Sequence, residues 1–182
     1  WMLLIAVWMM VMLDAVGQWI DPSDDEPIRA GRPRVWPMLL GALVLASVWP
    51  LLIDNPGVLT LASVAGAVAA TVGARRAAGR HRPAIGFLAG WATALASAAL
   101  AEMTAVQFGL SAQIVSAVAI LPAAAFGMAA QMWIGPSVGY SVALIWAFCG
   151  LAISTMGSDP MIALAAIIGI SAMATVLIRA AS

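Results

Sequence analysis

The chain has 182 residues, 64% of them hydrophobic and 9% charged, and its eight basic residues, all arginine, offset its eight acids. So little charge cannot keep a soluble domain of this length wet, so lipid is the expected solvent; the absence of a basic stripe argues against nucleic acid as a partner. A single cysteine, Cys149, and a single histidine, His81, exclude an internal disulfide, a cysteine-rich metal site and a bis-histidine haem.

The first apolar run, Trp1 to Ile20, opens with no methionine, basic leader or cleavage pattern, so the chain reads as a fragment with an upstream segment expected. A polar loop follows, Asp21 to Val35, holding four acids, three arginines and three prolines. Trp36 to Ile53 and Gly57 to Ala74 are then joined as a hairpin of spans through Asp54, Asn55 and Pro56, a turn-forming run. After an arginine-rich loop come Ala84 to Met103, Leu110 to Met132, Ser137 to Met156 and Met161 to Ile178. Each run has about 18 to 23 residues, enough at about 1.5 Å per residue to cross a hydrocarbon layer of roughly 30 Å. The expected architecture is an all-α, polytopic transmembrane bundle of about seven spans forming one domain, residues 1–182. Helices satisfy their own backbone in lipid, and no run shows the alternation of a membrane barrel.

Threading these spans through a bilayer returns every arginine to one side: Arg29, Arg32 and Arg34, then Arg75, Arg76, Arg80 and Arg82, then Arg179. The positive-inside rule makes that side cytoplasmic and leaves Trp1, Asp54 and Asp159 outside. Trp19, Trp36 and Trp133 then fall at the inner interface and Trp49 near the outer one, where amphipathic indoles are favoured. Pro136 and Pro160 suit first helical turns. Pro122, in the middle of the fifth span, is expected to kink it and to leave a carbonyl near Val118 without its donor. Gly86 and Gly90, with Ala65, Gly66, Ala69 and Gly73, supply small faces for close helix approach.

Charged groups within spans mark candidate function in membrane proteins. Asp14 lies about 9 Å from the inner end of the first span, with Gln18 one turn on. Glu102 lies one residue from the outer end of the fourth span, where it reads as an interfacial carboxylate or as part of an ion path. Gln107, Gln113 and Gln131 read as helix bridges or as water contacts at span ends. No nucleophile elbow, phosphate loop or His-Glu-x-x-His motif occurs, so an enzyme is not expected.

Tryptophan is over-represented, with eight residues, and Trp8, Trp91 and Trp146 lie well inside their spans. A mid-membrane indole either packs against neighbouring helices or faces a cavity that holds a flat apolar ligand. Gly86, Phe87, Leu88, Ala89, Gly90, Trp91, Ala92, Thr93 and Ala94 resemble the glycine, aromatic, Gly-Trp-x-Thr-Ala pattern of long bacterial relatives of the tryptophan-rich sensory proteins, the TspO or translocator-protein family. Pro136, Tyr140, Ala143, Trp146, Ala147 and Gly150 resemble the pattern of the penultimate helix in that branch, and Trp1 would correspond to the tryptophan of an earlier aromatic helix. Leu88 and Ile5 stand where that pattern has tyrosines, and the compact members have five spans.

The resemblance implies a receptor-like protein of a bacterial inner membrane that binds flat hydrophobic molecules, with a tetrapyrrole-like or porphyrin-like ligand and no other cofactor or metal. The expected site is an aromatic chamber of Trp91, Trp146 and Tyr140, with Trp8 and Asp14 as further walls and Pro122 giving room. Lipid and a homodimer are the other expected partners. Two alternatives stay open at this point: transport of a small solute or ion along Asp14 and Glu102, and a structural subunit or the membrane domain of a sensor.

Overall fold

The computed structural model describes residues 2–20, 35–78 and 82–181, and among them it shows helices and no strand. The order is α1 (Met2–Ile20), α2 (Trp36–Ser47), a short 3-10 turn (Trp49–Leu52), α3 (Pro56–Ala77), α4 (Pro83–Phe108), α5 (Ala112–Ile134), α6 (Val138–Thr155) and α7 (Pro160–Ala181). The five helices α3 to α7 are long and apolar enough to cross a membrane, while Ile5–Gly17 within α1 and Trp36–Ser47 of α2 are shorter apolar stretches. The protein is thus an integral membrane bundle of helices.

Local chemistry accounts for the boundaries. The span expected to reach Ile53 leaves the α-helix at Ser47, because Pro50 has no amide hydrogen and its ring crowds the carbonyl four residues back. The Asn55 side chain caps α3 by accepting from the Val58 amide at 3.3 Å. Pro56, Pro83 and Pro160 open their helices, where a missing N–H costs nothing. Pro136 instead lies just outside α6, which begins at Val138. At its other end α4 runs on to Phe108, beyond the expected Met103, and Gly109 closes it in the left-handed region at φ +60°. Pro122 sits within α5, which continues past it to Ile134.

Helix ends pair as the threading requires. Arg75, in the last turn of α3, donates to the Trp133 carbonyl near the end of α5, and its guanidinium carbon lies 5.3 Å from the Trp133 ring centroid. At the opposite end the Gln113 amide donates to the Asp159 carboxylate, joining the starts of α5 and α7. Arg75, Arg76, Arg82 and Arg179 therefore share one end of the bundle, with Asp54 and Asp159 at the other. Arg29, Arg32, Arg34 and Arg80 lie outside the described residues.

α4 is the central helix, packed on α1, α3, α5 and α6, while α7 closes against α5 and α6. Leu39, Ile85, Leu88, Ala89, Leu144 and Met173 are among the buried residues of this core. Lipid gives no hydrophobic gain for bringing helices together, so the bundle relies on close contact at small residues and on hydrogen bonds between helices.

Candidate functional site

The closest helix contact is a glycine seam between α4 and α6. A Cβ on Gly86 would stand 2.5 Å from Ser137 Oγ and 3.1 Å from the Tyr140 amide nitrogen. One on Gly90 would stand 2.8 Å from the Ala143 Cβ and nearer still to the Tyr140 carbonyl oxygen, and one on Gly139 would meet the Pro83 carbonyl and Phe87 nitrogen. Only glycine lets these backbones touch. Within the seam the Tyr140 side chain is fully buried, and its hydroxyl donates to Thr93 Oγ1 at 3.2 Å.

The seam brings together the two stretches that carry the family resemblance, but as a tight joint. Tyr140 spends its hydroxyl hydrogen on Thr93, Trp91 is half-buried on α4, and Trp146 is 58% exposed on the outside of α6. Trp8 is half-buried against the core from α1. Asp14 is ion-paired: Arg82 Nη1 lies 3.0 Å from its Oδ1 and 3.2 Å from its Oδ2, with both side chains partly buried. The carboxylate that looked hardest to account for inside a span is thus neutralised by a guanidinium at the start of α4. Glu102 is exposed on α4.

The open space lies elsewhere. An apolar cleft of about 1000 Å³ runs between α3, α4 and α5. Its α3 wall includes Val68 and Thr71, its α4 wall Thr93, Ser97 and Thr104, and its α5 wall Val118, Pro122, Phe126 and Trp133. Two features of the sequence create it. Alanines at 67, 96, 101, 119, 123 and 130 stand where larger side chains would fill the volume, and α5 packs chiefly on α7 while barely touching α3. The arginine end is bridged by the Arg75 contact with Trp133. Pro122, singled out in the sequence as a kink, lines this cleft, whereas Trp91, Trp146, Trp8, Asp14 and Tyr140 do not. Tyr140 reaches it only through Thr93.

No family model, curated protein or solved structure matches the chain. The likeness to tryptophan-rich sensory proteins therefore rests on the quoted residues alone.

Gln131 joins α5 to the turn that precedes α6. It is 2% exposed; its amide nitrogen donates to the Gly135 and Ser137 carbonyls at 2.9 and 3.0 Å, and its oxygen accepts from Ser141 Oγ at 2.8 Å. Read from the sequence as a helix bridge or a water contact, it is a buried bridge. It fixes the end of α5 that carries Trp133. Among the described residues no group of three or more His, Cys, Asp or Glu side chains could hold a metal.

Proposed function

We propose that this protein is a TspO-like membrane receptor that binds a planar hydrophobic molecule of the tetrapyrrole class in the cleft between α3, α4 and α5. The observation that carries the reading is the cleft itself. Its volume of about 1000 Å³ stands at the upper end of the roughly 300–1,000 Å³ typical of small-molecule sites, and its walls are apolar with a few placed hydroxyls. Phe126 and Trp133 offer ring surface on one wall.

Binding here couples to the rest of the bundle through Thr93, a buried residue of the cleft's α4 wall whose hydroxyl receives the Tyr140 hydroxyl inside the glycine seam. A ligand that moves Thr93 moves the joint between α4 and α6, so occupancy is transmitted to a partner rather than converted into product. The arginine end faces the cytoplasm of a bacterial cell by the positive-inside rule. The transport reading lacks support of this kind, because Asp14 is tied to Arg82 and Glu102 lies on the exposed side of α4.

Titrating the purified protein with protoporphyrin while following indole fluorescence tests the proposal. Saturable quenching whose amplitude falls in Trp133→Phe and persists in Trp146→Phe supports the cleft. Absence of saturation, or equal loss in both variants, refutes it.

A further inference from the structure

We infer that the cleft selects hydrogen-bond donors: it takes a flat apolar molecule carrying a hydroxyl or N–H on its body, and discriminates against the same skeleton with that hydrogen replaced. This selectivity presupposes that the cleft is the binding site proposed above, and it adds the chemical class of the ligand.

Every hydroxyl on the cleft walls has already committed its hydrogen. Thr71 Oγ1 donates to the Ala67 carbonyl at 2.7 Å, Thr93 Oγ1 to Ala89 at 2.9 Å, Ser97 Oγ to Thr93 at 2.9 Å and Thr104 Oγ1 to Leu100 at 2.7 Å. A hydroxyl whose hydrogen is engaged presents only its remaining lone pairs, so each of these groups can meet a ligand only as an acceptor. Thr93 also receives the Tyr140 hydroxyl, and both Thr93 and Thr71 are buried, which leaves Ser97 and Thr104 as the accessible oxygens.

Pro122 adds a stronger acceptor. Proline has no amide hydrogen, so the Val118 carbonyl, one turn earlier on the same cleft-lining helix, has no donor from position 122. By the helical rise, Thr104, Val118 and Ser97 lie roughly 6, 9 and 16 Å from the ends of α4 and α5 opposite the arginines, which sets them along one stretch of the cleft. Among the lining side chains only Trp133 carries an N–H, and it lies at the arginine end. A ligand carbonyl or ether oxygen placed beside Ser97, or about a turn away beside Val118, would meet a lone pair there, whereas a hydroxyl or N–H would meet an acceptor.

The test uses 1-pyrenemethanol and its methyl ether, flat probes in which a methyl group replaces the donor hydrogen, with the purified full chain in nanodiscs and energy transfer from indole to pyrene as the readout. The alcohol is expected to bind about tenfold more tightly than the ether, a difference of about 1.4 kcal/mol. Pro122→Ala, which returns a helical donor to Val118, combined with Ser97→Ala should bring the alcohol-to-ether ratio to within about threefold, a ratio in which any change common to both probes cancels. Equal affinity for both probes overturns the donor selectivity and leaves the cleft as a site. A preference that survives both substitutions overturns its assignment to these acceptors. Transfer that rises linearly without saturation marks partition into lipid and overturns both the selectivity and the binding reading beneath it.

Discussion

Replacing Gly90 by alanine probes the joint on which the bundle depends. The new methyl group would stand 2.8 Å from the Ala143 Cβ and closer to the Tyr140 carbonyl oxygen, whereas ordinary contact begins at 3.4 Å, so α4 and α6 must part by at least 0.6 Å. Both obstacles are backbone or Cβ atoms, which no rotamer change can move aside. Overpacking of this kind costs about 1–3 kcal/mol. The same separation stretches the Tyr140 to Thr93 hydrogen bond, already 3.2 Å, and puts at risk a further contribution of about 0.5–1.5 kcal/mol. Alanine's better helix propensity returns up to about 1 kcal/mol. The net cost is near 2 kcal/mol, which for a chain of this size lowers the melting temperature by about 4–8 °C. Gly150→Ala, on the same helix as Tyr140 but with nothing within 4 Å of its new Cβ, gains the propensity without the clash and should melt at or slightly above the parent protein. Size-exclusion analysis of heated detergent samples reads both. Equal melting of the two variants would refute the seam.

Gln131→Leu removes the donors to two carbonyls and the acceptor for Ser141 at a 2% exposed position; a loss of about 2–4 kcal/mol and a matching fall in melting temperature are expected, with Gln131→Glu at least as costly because its carboxylate sets acceptor against acceptor at both carbonyls. For the ion pair, a double-mutant cycle of Asp14→Asn and Arg82→Gln should give a coupling of about 1–2 kcal/mol, between the values of exposed and of fully buried pairs, since the side chains are 25% and 19% exposed; additive effects would mean the contact contributes nothing.

Much of the architecture was legible because lipid imposes few solutions. Long apolar runs bounded by prolines, glycines and arginines could hardly be anything but helices, and the pair Gly86 and Gly90 announced a close helix contact. What was not legible depends on neighbours distant in the chain. Arg82 lies 68 residues from Asp14, so the sequence showed an acid inside a span but not the cation that neutralises it. Gly139 heads a small-residue row with Ala143 and Ala147 near the start of α6 that the sequence reading passed over, and the fold shows that it completes the seam.

The cleft was harder still. It results from a difference in how tightly α5 packs on its several neighbours, and no single motif encodes that. Its lining alanines look the same in sequence as alanines in tight contacts. Trp146 attracted attention by its chemistry and points outward, while Trp133, read as an interfacial indole, both sits at the arginine end and lines the cleft. Pro122 was the one visible signal, because a proline in mid-span must leave a carbonyl to be satisfied some other way.

Where an apolar ligand sits is read most directly by photo-crosslinking. A diazirine-bearing pyrene, irradiated with the protein in nanodiscs and mapped by peptide mass spectrometry, is predicted to label α3, α4 and α5 at cleft residues such as Val68, Ser97, Val118 and Phe126. Excess 1-pyrenemethanol should suppress that labelling. Adducts centred on Trp146 and the outer face of α6, or spread evenly over the lipid-facing surface and insensitive to competitor, would contradict the account.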